Sequence, residues 1–242
     1  MASQALKIPR LSFSREETLS PRALVAIVLL SVICIRAHEY SHIASLVIQG
    51  RGFTSGFGWV STYGDDNRIV STIAGPLLNY VVMWMGLVLL LTSREQERSG
   101  FELVFAPLPF FRLFGYMFST IPGRDEIGVC RALHVADPIA AAIVGAIVLP
   151  PVVFAYFSMD SKSRIPWFLF FFVALPILSA FVVTFFGDDF VLPLVKGHRF
   201  KGTPISYMFH GIPMVVLLFD ATLISIFLLM SRQPKRAAAP IT

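Results

Sequence analysis

Six stretches of mainly apolar sequence decide what this chain can fold into: Ala23–Ile48, Ile69–Leu91, Phe101–Ile121, Ile139–Phe157, Trp167–Phe186 and Ile212–Met230. Each is close to or beyond the roughly 20 residues that a helix needs to cross a hydrocarbon core. Composition agrees. Hydrophobic residues make up 55% of the 242 and charged residues only 14%, against about 25% charged in an average soluble domain. With 23 phenylalanines and a mean hydropathy of +0.72, the chain has more apolar surface than a soluble globule can hide, so the bilayer must be its solvent. A soluble enzyme, a disordered chain and a secreted disulfide scaffold are excluded. Cys34 and Cys130 make no framework, and Cys34 reads as a small buried hydrophobe. The expected fold is an all-α polytopic membrane protein of about six transmembrane helices.

The stretches are not equally regular. The second, fifth and sixth run clean, whereas the fourth carries Pro150-Pro151 and is expected to kink or stop early. The third contains Pro107, Pro109 and Arg112 and runs into Pro122-Gly123. A broken helix at membrane depth is tolerated only where it lines a cavity or is buried in protein, so the third stretch is expected beside a functional space. Residues 1–22 and 231–242 read as polar tails, the second of them basic. The run Ala23–Ile35 has the length of a signal-peptide core, but Arg36-Ala37-His38-Glu39 follows it in place of a cleavage site. The net charge of +5 is concentrated in tails and loops, where it sets topology and meets anionic lipid rather than nucleic acid. Both tails inside gives that side eleven Lys and Arg against seven on the other, which favours cytoplasmic termini. The expected location is the bacterial cell (inner) membrane.

Chemistry enters with His38-Glu39-Tyr40-Ser41-His42. Residues four apart share a helix face, so His38 and His42 can offer two imidazoles to one metal. Glu39, one residue on from His38, stands beside the metal as a general base, the logic of the H-E-x-x-H pattern. Zinc with three protein ligands keeps a fourth position for water and lowers its pKa to about 7. A lone histidine in a helix is usually just a satisfied polar group. Here Arg36, His38, Glu39 and His42 sit together in an apolar run, where an Asp, Lys or Arg at the helix centre costs about 2.5–3.5 kcal/mol on insertion scales. Such groups persist when they pair, bind metal or meet water. Arg36 itself is read as an interfacial anchor.

Two further segments extend the pattern. Residues 50–64 are rich in glycine, aromatic and β-branched residues and read as a hairpin or loop. Ala74-Gly75-Pro76-Leu77-Leu78-Asn79 falls in the second stretch. Gly75 permits close helix approach, Pro76 frees a backbone carbonyl, and Asn79 is an amide in hydrocarbon that needs a partner. This order resembles the site-2 protease (M50) family of intramembrane zinc metalloproteases over residues 23–135. In that family the H-E-x-x-H helix is followed by a membrane-associated β-hairpin, a G-P-x-x-N segment and an Asp ligand after a proline-containing stretch.

The resemblance implies a catalytic three-helix core at 23–135 with a hairpin near 50–64, and accessory transmembrane helices at 136–230. It implies one zinc ion held by His38, His42 and Asp125, with Glu39 as catalytic base and Asn79, Gly75 and Pro76 binding substrate. The third segment, Ser119 to Gly128, departs from the family: its Asn is absent, and Arg124 and Glu126 flank Asp125. On its own residues Asp125 also reads as a helix cap after a Pro-Gly turn, Glu126 as a competitor for the metal, and Asn79 as helix–helix glue. Asp137, Asp188 and Asp189 are substitute ligands that read as interfacial; His134, His198 and His210 read as ordinary loop histidines. The implied activity is hydrolysis of a peptide bond in a transmembrane protein substrate, with lipid as the other partner. Two other classes carry part of the pattern: a divalent-metal transporter, and a catalytically inactive relative that binds membrane partners.

Overall fold

Pro21, its missing N–H harmless in the first turn, opens α1 (Pro21–Ile48). The helix stops at Gly50, whose φ of +67° lets the chain turn back. The Gly50 N–H donates to Val47 and the Arg51 N–H to Leu46, satisfying the last carbonyls in a Schellman closure. A hairpin follows, β1 (Phe53–Ser55) against β2 (Val60–Thr62), in antiparallel register with Thr54 opposite Ser61. Then come α2 (Ile69–Thr92), α3 (Glu97–Phe105), α4 (Pro109–Met117), α5 (Asp125–Ala132) and α6 (Asp137–Ser158). A long helical segment, α7 (Arg164–Lys196), contains two π-helical stretches, Phe170–Ala174 and Phe181–Val191. A second hairpin, β3 (Met208–Phe209) with β4 (Ile212–Pro213), leads into α8 (Met214–Ser231). The computed structural model describes residues 21–62, 69–92, 96–117, 125–159, 164–197, 200 and 202–231. The polar tails, apart from Pro21, Arg22 and Ser231, and Pro122, Gly123, Arg124 and His198 lie outside the described residues.

Among the described residues, five helices, α1, α2, α6, α7 and α8, are long and apolar enough to cross a membrane. This is the architecture of an all-α, multi-pass membrane protein with a small hairpin after the first helix. The third apolar stretch is not a single helix. It splits into α3 and α4 around Ala106–Leu108, where Leu108 takes a φ of +55° that a branched side chain rarely adopts. The break is not left unsatisfied, because the buried Ser31 hydroxyl of α1 donates to the Ala106 carbonyl at 2.9 Å. The broken segment nevertheless climbs alongside α1. Phe101 shares a core cluster with Ile27, Ala106 meets Ser31, and Arg112 meets His38. At the opposite end of the path Arg22 donates to the Met230 carbonyl at 3.0 Å, so α8 runs antiparallel to α1.

Two other expectations need correction. Pro150-Pro151 neither ends nor interrupts α6, which continues to Ser158; bilayer helices retain proline when neighbours re-satisfy the freed carbonyls. The fifth span does not stop at Phe186 but runs to Lys196, so that Asp188 and Asp189 belong to the helical segment itself rather than to a loop after it.

The apolar core falls into two clusters. One joins the early part of α1 to α2, α3, α6 and the first half of α7, with Phe101, Phe105, Trp167 and Phe171 fully buried. Gly86 and Gly100 let α2 and α3 touch: a Cβ at Gly86 would lie 2.6 Å from the Gly100 carbonyl oxygen. The other cluster joins the middle of α1 to the hairpin, the second half of α7 and α8, around Phe57 and Val216. Lipid is left the outer faces, among them Leu77, Trp84 and Val88 of α2.

Candidate metal centre

His38 and His42, one turn apart on α1, present their Nε2 atoms 3.0 Å from each other. Asp125, the first residue of α5, brings Oδ2 to 3.0 Å from His38 Nε2 and 3.3 Å from His42 Nε2. Three donor atoms from two segments thus form a triangle, and the group could hold a metal ion. The fit can be tested on size. A tetrahedral zinc with ligand bonds of 2.0–2.1 Å sets its donors about 3.3 Å apart, close to the spacing found. The aspartate lies in the first turn of its helix and turns Oδ2 onto both imidazoles. Burial alone would push the Asp125 carboxyl up, but the hydrogen bonds and charge of His38 and His42 hold it below the usual carboxylate range.

The surroundings orient the donors. His42 donates from Nδ1 to the Ser71 carbonyl of α2 at 2.5 Å, which fixes the tautomer and leaves Nε2 as a lone pair aimed at the cluster. Gly75 lies flat against both rings, and a Cβ there would sit 2.5 Å from His38 Cε1 and from His42 Nε2. The glycine of the G-P-x-x-N segment is therefore a packing requirement of the two imidazoles. Pro76 and Asn79 are buried in the same helix.

The Asn79 amide lies 3.2 Å from His38 Nδ1, and Arg112 of α4 donates from Nη2 to the same nitrogen at 3.0 Å. A His38 that ligates through Nε2 carries its proton on Nδ1. Metal binding thus requires Arg112 to release that nitrogen and the Asn79 oxygen to accept from it. Glu126 does not compete for the metal, since it is ion-paired with Arg112 and accepts from the Tyr80 hydroxyl at 2.9 Å.

Beside the triangle opens a cavity of about 230 Å³. His38, Glu39, Asn79, Arg112 and Thr184 supply its polar lining, and Pro107, Leu108, Phe111, Val183 and Gly58 supply much of the rest. The broken third segment thus lines a cavity, as bilayer physics requires of irregular backbone. Glu39 is buried and reaches the same space.

Of the other candidates, His134 takes a φ of +54° at the end of α5, where its N–H and that of Val135 close the helix. His210 occupies, with Gly211, the positive-φ two-residue turn of the second hairpin. Asp137 sits in the first turn of α6.

Arg36 is no interfacial anchor. It is buried in α1 and forks onto Asp220 of α8, with Nε to Oδ1 at 2.8 Å and Nη2 to Oδ2 at 3.1 Å. Tyr40 donates to the same carboxylate at 2.6 Å. Asp220 escaped the sequence reading, although a lone acid in the sixth apolar stretch was itself a signal that a buried cation must face it. No family model matches this sequence, and neither a curated protein nor a solved structure matches it.

Proposed function

We propose that the protein is a zinc-dependent intramembrane endopeptidase of site-2 protease type, hydrolysing peptide bonds of transmembrane substrates. The observation that carries this reading is the convergence of His38, His42 and Asp125 at zinc-ligand spacing, next to a buried glutamate that lines a cavity. When bound, zinc would polarise the scissile carbonyl and make water nucleophilic at neutral pH. Glu39 takes the proton of the attacking water and returns it to the leaving amine. Ile35, Leu108 and Val183 add apolar walls to the same cavity.

A transmembrane substrate must unwind to expose a peptide bond, and an extended segment needs partners for its backbone. The first hairpin offers one edge. Ser55 donates outward to the Gly211 carbonyl at 3.0 Å, so the outer side of β1 is occupied by the second hairpin. Because Ser55 faces Val60 in a pair that exchanges no hydrogen bonds, the backbone groups of Val60 point to the opposite side. That side of β2 is where a substrate strand can add.

Metal analysis of protein purified in detergent, alongside cleavage of a transmembrane peptide, tests the reading. Asp125→Ala is expected to weaken zinc binding by at least about 100-fold. Glu39→Gln is expected to keep the metal while the cleavage rate falls by about 10²–10⁴-fold. Undiminished cleavage by Glu39→Gln removes the base assignment, and full zinc occupancy in Asp125→Ala removes the metal centre.

A further inference from the structure

The first hairpin does not rest on the surface of the bundle. Its turn reaches down to the level of Arg36, which is 12 residues before the end of α1 and so about 18 Å along the helix axis. Backbone at that level is not helical and is largely buried, so its polar groups need partners inside the protein. Phe57, at the centre of the turn, is 1% exposed.

Two ionised side chains from different helices take up that backbone. Asp188, in the second π-helical stretch of α7, accepts from the Phe57 N–H at 2.7 Å and the Gly58 N–H at 2.9 Å. Arg36 donates from Nη1 to the carbonyls of Gly56, at 3.1 Å, and of Phe57. The rest of the guanidinium is held by Asp220. An Arg–Asp fork between two helices is complete without the turn. The additional bonds from Arg36, and the full use of Asp188 on the opposite backbone groups, have no need to exist for helix association alone. They grip both sides of three consecutive residues, the last of which lines the cavity with His38 and Glu39.

From this geometry we infer that Arg36, Asp220 and Asp188 form a charged clamp whose task is to hold the Gly56–Gly58 turn at the reaction cavity. These three are positioning residues: none is a zinc ligand or the base, and they act by fixing where β2 leaves the turn and how it presents the edge that faces away from β1. The inference rests on the endopeptidase reading for the meaning of that edge, but the clamp itself is a matter of backbone order.

The test is therefore two-armed and uses the full chain in lipid nanodiscs. In the first arm, hydrogen–deuterium exchange follows the Phe57 and Gly58 amides. Asp188→Ala is expected to speed their exchange at least about tenfold, because two charge-assisted bonds are lost, while zinc occupancy stays at the wild-type level. Arg36→Met with Asp220→Leu removes the other half of the clamp without stranding a buried charge, and is expected to act in the same direction. Exchange that does not change in either variant overturns the clamp. In the second arm, Asp188→Ala is expected to raise KM for a transmembrane peptide by about tenfold with a smaller change in kcat. A fall in kcat at unaltered KM overturns the positioning role. A wild-type protein that binds zinc and cleaves nothing overturns the endopeptidase reading, and the exchange arm then still decides the clamp.

Discussion

At the scale of single residues, the centre depends on what is missing as much as on what is present. Gly75 has no side chain, and both imidazoles occupy the space one would fill. Since the Gly75 backbone belongs to α2 and the rings to α1, a methyl group can be admitted only by separating the helices or by turning the rings out of line with Asp125. Gly75→Ala is therefore expected to lower zinc affinity by about 10–100-fold, as loss of an orienting contact does. Helix content by circular dichroism is expected to hold. Chelator competition on the purified protein measures the first, and an unchanged affinity would mean that the helices yield instead.

Elements carry a second lesson, in the pairing of α1 with α8. The H-E-x-x-H spacing was legible because both histidines lie on one helix, and their four-residue separation fixes their relation whatever the tertiary fold. The hairpin was legible from its glycines and β-branched residues. Arg36 and Asp220 are 184 residues apart, and no local pattern links them; only the argument that opposite charges in apolar spans must meet could have joined them. The break in the third stretch was visible as Pro107 and Pro109, whereas its repair by Ser31 was not, because a serine in a helix gives no sign of which carbonyl it will reach. The orientation of Asp125 toward the imidazoles was likewise beyond its neighbours, which suit a cap equally well. The buried pair carries its own prediction. Asp220→Asn leaves a guanidinium in the apolar interior without its counter-charge and is expected to destabilise the fold by about 3–5 kcal/mol. Arg36→Met with Asp220→Leu is expected to recover most of that loss. Thermal unfolding of the three proteins in one detergent gives the comparison, and a double variant no better than the single one would show that the turn, not the charge, is what α8 relies on.

For the whole molecule, the decisive question is how many times the chain passes from one face to the other. Five continuous crossings would leave the two ends on opposite sides. Yet Arg22, at the start of α1, donates to the carbonyl of Met230 near the end of α8, which brings the ends of these two helices to the same face. The difference is supplied by α3 and α4. They start beside the end of α2, where Gly100 meets Gly86, and rise past Ser31 to Arg112, beside His38. A sixth passage through this broken helix would account for the difference, and its irregular part is the wall of the cavity. Reporters fused to the two ends of the protein are expected to read out in the same compartment, and the excess of Lys and Arg on that side predicts that this compartment is the cytoplasm. Removing Pro107 and Pro109 together would favour a continuous helix at this point, preserving the topology while filling the space beside Glu39. Opposite compartments for the two reporters would mean that segment 97–117 turns back on itself.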